Sequence, residues 1–452
     1  MNTRVRFAPS PTGSLHLGSV RTAIFNYLFS KQTNGSLILR IEDTDKERST
    51  SHSQEEILSS LRWLGIQWNE GPYLQSERIE IYQNYANILL SEGKAYKCFS
   101  SQEEINRIKE QAKKEKKIYK YPRIWRDRKD HPQNKDFVIR FKTPDNKIID
   151  FKDTLRGKIE IESNNLDDFI IIKSDGFPTY NFASAIDDIE MKITNVIRGE
   201  DHLSNTPKQI LIYNSLNAKI PDFTHVSMIL GKDKTKLSKR HGAESIDNFK
   251  SMGFLPVSII NYLARLGWSF GDQEIFSLNE MEANFSLDNL NKSPAIFDLE
   301  KFTWVNSNQI KKADTNYLKE LINFKFIEGI DIDLAILSAK EKSKDLIQLK
   351  EVLSFCETKE LNIDDKSIES INDCDKKILE KFLNSFMDYN FKNMEEIEVF
   401  FKNFLLNNNL KMKNLAFPLR LILTGSKNSP GIYQILKILS KELISYRVKR
   451  FL

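Results

Sequence analysis

Arg4-Val5-Arg6-Phe7-Ala8-Pro9-Ser10-Pro11-Thr12-Gly13-Ser14-Leu15-His16-Leu17-Gly18-Ser19-Val20 is the stretch whose reading decides the fold class. Arg4 to Ala8 reads as a short strand. Pro9 to Ser14 must be a loop, because two prolines and a glycine continue neither a strand nor a helix. Val20 to Phe29 then carries Ala23, Ile24, Tyr27 and Leu28 at helical spacing, Gly35 ends the pattern, and Ser36 to Ile41 is a second strand. Strand, glycine-containing loop, helix and strand make a βαβ unit, which predicts a parallel sheet with a right-handed crossover.

Outward from this unit the texture changes at about Tyr82. Lys109 to Lys120 reads as a lysine-dense helix bounded by Tyr121-Pro122, and short strand-like runs follow at Phe137 to Lys142, Lys147 to Asp153 and Phe169 to Lys173. The segment reads as an insertion between two halves of the sheet. Apolar strand character returns at Asn195 to Gly199, and Lys208 to Tyr213 begins a further helix. Beyond about Leu230 strands fade; Ile259 to Leu266 and nearly all of Leu318 to Leu452 read as helical. Ser429-Pro430 reads as a helix start, with Ile432, Ile435, Leu436, Leu439 and Leu443 on one face.

The bulk numbers agree with a large globular protein. A chain of 452 residues exceeds what one hydrophobic core usually organises, so two to four domains are expected. With 40% hydrophobic and 29% charged residues, disorder is excluded. No apolar run approaches the ~20 residues that span a bilayer, and Met1 to Phe7 lacks the apolar stretch of a secretory leader. Cys98, Cys356 and Cys374 are odd in number and far apart, which points to a reducing compartment without disulfides, the cytoplasm by default. A net charge of +5 is compatible with a nucleic-acid partner without requiring one.

Two segments can carry chemistry. The first is the loop between strand and helix. Ligands of open parallel sheets bind beyond the carboxyl ends of strands, and a helix N-terminus there favours phosphate. Gly18 lets a nucleotide approach the backbone, and His16 can donate to a phosphoryl oxygen. No P-loop pattern is present. The second is Gly231 to Gly242, with Lys232, Lys234, Lys236, Lys239 and Arg240 between glycines; such a loop can close on a triphosphate and neutralise the departing pyrophosphate. Taken singly, each segment is as well explained by a surface turn or a solvated basic loop.

As an ordered pair, His16-Leu17-Gly18-Ser19 and Lys236-Leu237-Ser238-Lys239-Arg240 resemble the two signatures of class I aminoacyl-tRNA synthetases. The stretches Arg6 to Gly13, Arg40 to Asp45, Pro178 to Ala183, Val196 to His202, Leu237 to Gly242, Asn261 to Trp268 and Ser293 to Asp298 are similar, in order, to the bacterial glutamyl-tRNA synthetases. Ser19 stands where the general signature has a second histidine, and Leu237 and Arg240 where it has methionine and serine; these departures are common in the glutamate branch.

The resemblance implies an α/β fold. A Rossmann-type parallel-sheet catalytic domain would hold residues 1–83 and 180–229, with an inserted tRNA acceptor-binding domain at 84–179. A stem-contact domain carrying the lysine loop would follow at 230–315, and a helical anticodon-binding domain at 316–452. It implies an enzyme that activates glutamate with ATP and loads tRNA(Glu), with tRNA(Gln) as a further candidate. His16, Gly18, Lys236 and Lys239 are the implied catalytic residues, and Pro9, Ser19, Leu237, Ser238 and Arg240 the further ATP contacts. Arg6, Ala8, Ser10, Glu42, Tyr180, Ser184 and Arg198 are the implied glutamate contacts.

The residue types suit that assignment. An arginine fork pairs bidentately with a carboxylate and offers nothing to an amide, and Glu42 supplies the opposite charge for an ammonium. Mg²⁺ is expected to accompany the nucleotide. Cys98 stands where some relatives begin a Cys-x-Cys zinc pair, but Ser100 takes the second position, so no structural zinc is expected. The resemblance implies that the insertion grips the tRNA acceptor end; Lys113, Lys114, Lys116 and Lys117 are candidates for phosphate contacts, in a protein expected to be monomeric. A glutamine-specific relative normally carries a β-barrel anticodon region, which the helical C-terminus contradicts.

Overall fold

A computed structural model describes residues 2–13, 15–45, 49–116, 119–235, 237 and 245–452. The chain divides into one unit of residues 1–248 and 260–298 and a second of 249–259 and 299–452. Among the described residues no helix is long and apolar enough to cross a membrane.

In the first unit β1 (Arg4–Phe7) lies parallel to β2 (Ser36–Ile41), and β2 parallel to β3 (Glu70–Leu74). The crossover from β1 to β2 is α1 (Leu17–Gln32), which buries Leu17, Val20, Ala23, Ile24, Phe25, Tyr27 and Leu28 on several faces. A helix covered on several sides has little amphipathic contrast, so its sequence shows only part of its length. Gly35 is needed at the return: a Cβ there would stand 2.4 Å from the Thr3 carbonyl oxygen. β3 contains Gly71-Pro72, which reads as a turn. It survives because β3 is the last strand of its sheet, where proline is tolerated.

α2 (Ser51–Trp63) and α3 (Ile79–Ser91) lead into the insertion. There β4 (Ala95–Cys98), β5 (Val138–Phe141) and, further on, a short strand at Ile170–Ile172 form an antiparallel sheet. β6 (Ile148–Asp153) and β7 (Gly157–Glu162) form a hairpin; the strand at Ile170–Ile172 is then β8. The lysine-rich helix expected at 109–120 is instead α4 (Gln102–Lys114). Its start is set by Ser101, whose hydroxyl accepts from the Glu104 N–H at 3.2 Å while Glu104 accepts from the Ser101 N–H at 3.0 Å. Lys113 and Lys114 end that helix and Lys116 follows it; Lys117 lies outside the described residues.

α5 (Tyr180–Glu190) returns to the parallel layer, where β9 (Asn195–Gly199) runs parallel to β10 (Asp222–Val226), with α6 (Thr206–Ser215) between them. β10 also pairs with β6, so the hairpin of the insertion continues the second half of the sheet. The two halves meet where the Thr194 N–H donates to the Arg4 carbonyl at 2.9 Å and the Arg4 N–H to Thr194 Oγ1 at 2.8 Å.

The second unit is helical, around a core that includes Leu318, Ile336, Leu353, Phe382, Phe401, Leu419, Ile435 and Ile444. The single helix expected after Ser429-Pro430 is two, Ile432–Ile438 and Lys441–Lys449, and the first is capped by Gly431. The break has a cause. The Ser440 N–H is drawn off to the Gly329 carbonyl at 2.7 Å, and the Ser440 hydroxyl caps the new helix through the Leu443 N–H at 3.2 Å. Buried Arg447 donates to the carbonyls of Phe355, Thr358 and Leu423 at 2.6–2.7 Å.

Candidate active site

A cavity of about 1080 Å³ opens in the first unit, beyond the carboxyl ends of β1, β2 and β9. Its walls include Arg6, Ala8, Pro9, Ser10, His16, Gly18, Ser19, Glu42, Tyr180, Arg198 and Leu237, so residues far apart in sequence share one space. Lys236, Ser238, Lys239 and Arg240 lie outside the described residues. Ser184, expected among the glutamate contacts, is fully buried and absent from the wall; its hydroxyl accepts from Arg40 Nη2 at 3.3 Å.

At the end of the cavity beside the β1–α1 loop, His16 caps α1. Its Nδ1 accepts from the Ser19 N–H at 3.2 Å, so the neutral ring carries its proton on Nε2, which lies 2.9 Å from the Ser19 hydroxyl. The turn therefore prepares a donor at Nε2. Gly18 shapes the same ring: a Cβ there would stand 3.1 Å from His16 Nδ1 and 3.2 Å from Cε1. Gly18→Ala is accordingly expected to displace the imidazole, and a His16 ring resonance unchanged in the variant's NMR spectrum would sink this.

The polar end is a charge network. Arg40, fully buried in β2, donates from Nη1 to Asp188 Oδ1 at 2.7 Å and from Nη2 to Glu42 Oε1 at 3.1 Å, and its Nε lies 3.7 Å from Asp187 Oδ2. Arg6 Nε donates to the same Asp188 at 3.2 Å. Asp187 is further bound by Arg78 Nε, Gln75 Nε2 and the Tyr82 hydroxyl, each at 2.8 Å. Burial opposes ionisation of Asp188, but Arg6 and Arg40 override it and hold the carboxyl below its usual range. Glu42 goes the other way: burial lifts it, outweighing the pull of Arg40 and Arg6. A cation brought beside Glu42 would favour its ionised form.

Arg198 differs from Arg40 in kind. It is buried, and among the described residues no carboxylate pairs with it. Its Nη2 donates to Thr206 Oγ1 at 2.7 Å and its Nε to His225 Nε2 at 3.1 Å, while Nη1 has no partner. Burial, and then the repulsion of Arg6, lower its pKa, so an anion brought beside it would favour its charged form. Tyr180 completes this wall. Its hydroxyl meets His202 Nδ1 at 2.9 Å, and burial followed by nearby Arg198 drops His202 to about 4, leaving it neutral.

Sequence reasoning placed Arg6, Glu42, Tyr180 and Arg198 but gave no part to Arg40, Asp187, Asp188, His202, Thr206 or His225. Arg40 and His202 belong to the stretches Arg40 to Asp45 and Val196 to His202, where they are not set apart from Glu42 and Arg198 by any local pattern. Asp187 and Asp188 come from α5 and His225 from β10, with no local pattern that marks them.

Cys98 is buried beside Phe99, Tyr121 and Trp125, and its thiol donates to the Tyr121 hydroxyl at 3.1 Å. Among the described residues no three His, Cys, Asp or Glu side chains are grouped to hold a metal.

Residues 2–304 match the family model described as tRNA synthetases class I (E and Q), catalytic domain, and residues 298–452 match one described as an anticodon binding domain. A glutamate–tRNA ligase of Thermodesulfovibrio yellowstonii is 43% identical over 459 residues, covering 99% of this chain and 98% of its own. One from Geobacter sulfurreducens is 40% identical over 461 residues, covering 99% and 98%. Among solved structures, a glutamate tRNA ligase from Elizabethkingia meningosepticum, crystallised in complex with its amino acid, superposes with a TM-score of 0.86. It is 32% identical and covers 100% of this chain and 99% of its own.

Proposed function

The chain belongs to the class I tRNA synthetases for glutamate and glutamine, and from that premise we propose how its site works. The enzyme activates glutamate with ATP and transfers it to tRNA. The observation that carries the assignment of roles is Arg198: a buried guanidinium with Nη1 unpaired, in the same cavity as Glu42 and the His16 turn. Arg198 takes the side-chain carboxylate, helped by Tyr180, and Glu42 takes the ammonium. Arg6, whose Nε is held by Asp188, and Ser10 complete the pocket.

With both ends of glutamate held, the α-carboxylate stays free to attack the α-phosphorus of ATP, and pyrophosphate leaves. The terminal adenosine hydroxyl of tRNA then attacks the mixed anhydride, forming the ester and releasing AMP. No side-chain nucleophile is needed; positioning and charge stabilisation supply the catalysis. His16 Nε2 donates to a phosphoryl oxygen, Gly18 admits the nucleotide, and Pro9, Ser19 and Leu237 line its place. Lys236 and Lys239 are assigned to the β- and γ-phosphates, and Ser238 and Arg240 to the nucleotide more generally, from the resemblance alone. Lys239→Ala is expected to lower adenylate formation by about 10²–10³-fold with an unchanged circular dichroism spectrum; near-normal activation would refute the role.

Mg²⁺ would be held chiefly by phosphate oxygens and water, since carboxylates in the cavity wall are few and no grouped metal ligands stand among the described residues. The Cys98 thiol, engaged with Tyr121 in an apolar cluster, supports a protein without structural zinc; elemental analysis finding one zinc per chain would overturn that. Residues 84–179 are read as the acceptor-end domain, 230–315 as the stem-contact domain and 316–452 as the anticodon domain of a cytoplasmic monomer. tRNA(Glu) is the proposed substrate, and tRNA(Gln) a second one. ATP–pyrophosphate exchange with glutamate, with and without tRNA, followed by charging of both purified tRNAs, tests the reading. Failure to charge tRNA(Glu) would reject it, and failure on tRNA(Gln) alone would restrict it.

A further inference from the structure

Two fully buried groups outside the cavity wall, Asp153 and His225, are connected to Arg198. His225 stands on β10 directly opposite Arg198 in the parallel register with β9. Asp153 ends β6, in register with Phe223. The three residues are thus brought together by three neighbouring strands.

Their hydrogen bonds leave one arrangement of protons. Asp153 Oδ1 accepts from the N–H groups of Leu155 and Arg156 at 3.0 and 2.9 Å. Its Oδ2 accepts from the His225 backbone N–H at 3.0 Å and from Nδ1 at 2.7 Å. With the proton on Nδ1, His225 Nε2 is an acceptor, and it receives Arg198 Nε–H at 3.1 Å. The Thr206 hydroxyl accepts from Arg198 Nη2 at 2.7 Å and lies 3.0 Å from that same Nε2. These acceptors, with the His202 carbonyl 3.5 Å from Nη2, hold one edge of the planar guanidinium and leave the buried Nη1 without a partner. A protonated imidazole could not accept at Nε2, and burial works against that form.

We infer that His225, oriented by Asp153, is a positioning residue that sets the plane of the Arg198 guanidinium and so the selection of glutamate over glutamine. The inference rests on the reading that Arg198 takes the side-chain carboxylate. A guanidinium free to rotate keeps its charge but loses the fixed fork, and a fork is what separates a carboxylate from an amide.

The test compares full-length His225→Ala, His225→Gln and His225→Asn with the unaltered enzyme in ATP–pyrophosphate exchange with tRNA present. His225→Ala is expected to raise the KM for glutamate on the order of tenfold or more, as for loss of a hydrogen bond to a charged group, and to narrow the preference over glutamine. The KM for ATP should stay within about twofold, because His225 is not in the cavity wall. A glutamine amide oxygen can stand where Nε2 stands and should recover most of the loss; the shorter asparagine should not. A folded His225→Ala enzyme with unchanged glutamate KM would overturn the inference, as would equal rises for glutamate and ATP. Should His225→Ala not fold, the Gln and Asn variants decide, and equal behaviour of the two overturns it. An unaltered enzyme that does not activate glutamate would reject the functional reading instead.

Discussion

Arg40→Met should lower the melting temperature by roughly 5–10 °C, whereas Arg4→Ala should move it by no more than about 2 °C. Both arginines lie in neighbouring parallel strands and both bind carboxylates, so charge alone does not distinguish them. Solvent does. Arg4 pairs with Glu70 at 2.7 Å on the surface, their side chains 24% and 37% exposed. Arg4 holds Glu70 through both Nη atoms and the Met191 carbonyl through Nε, but water can replace these half-exposed partners, and such pairs are worth about 1 kcal/mol. Arg40 is 0% exposed and serves Asp187, Asp188 and Glu42 together. Methionine fills much of its volume, so the main loss is the counter-charge. Three buried carboxyls would then share Arg6 and Arg78, and removing one partner of a buried ion network costs about 3–5 kcal/mol. Glu42, already lifted by burial, would lose its strongest opposing cation and take up a proton. The same change should therefore weaken glutamate binding through a neutral Glu42. Calorimetry of the two variants side by side checks the claim, and equal shifts would show that Arg40 is not the centre of the network.

The contrast also explains what was legible in the sequence. The strands β1, β2 and β9 and the loop after β1 could be read because prolines, glycines and apolar runs are local signals. A parallel sheet then forces the carboxyl ends of its strands to converge. Arg6, Glu42 and Arg198 stand at such strand ends, and the family resemblance assigned them to one glutamate pocket. Arg40 lies two residues before Glu42, and nothing in spacing says that one is enclosed in a charge network while the other reaches the cavity wall. That division depends on Asp187 and Asp188, which arrive from α5 across a distance of sequence no periodicity spans. β7 carries a local signal, the alternation Lys158-Ile159-Glu160-Ile161-Glu162 after Gly157. The break at Leu439 had none, because an unbroken helical stripe is equally consistent with the sequence. It was a carbonyl at Gly329 that captured the Ser440 N–H.

Arg198→Lys is expected to cost nearly as much as Arg198→Ala, each lowering kcat/KM for glutamate on the order of 10³-fold while leaving the KM for ATP within a few fold. Lysine keeps the charge, so a purely coulombic site would forgive it. The role proposed for Arg198 is of another kind. Arg198 is held by Thr206 on Nη2 and His225 on Nε, which leaves the unpaired Nη1 fixed in direction. A lysine ammonium would be a single point at the end of a flexible stem, with Thr206 and His225 as competing acceptors. Burial already lowers the pKa of the guanidinium at this position, and an amine, far easier to deprotonate, would be driven toward its neutral form. The lysine variant therefore loses both the fork and part of the charge that distinguishes glutamate from glutamine. Pyrophosphate exchange with each amino acid reads this directly: the preference for glutamate should collapse in both variants. A lysine enzyme that kept its preference would mean that Arg6, not Arg198, takes the side-chain carboxylate.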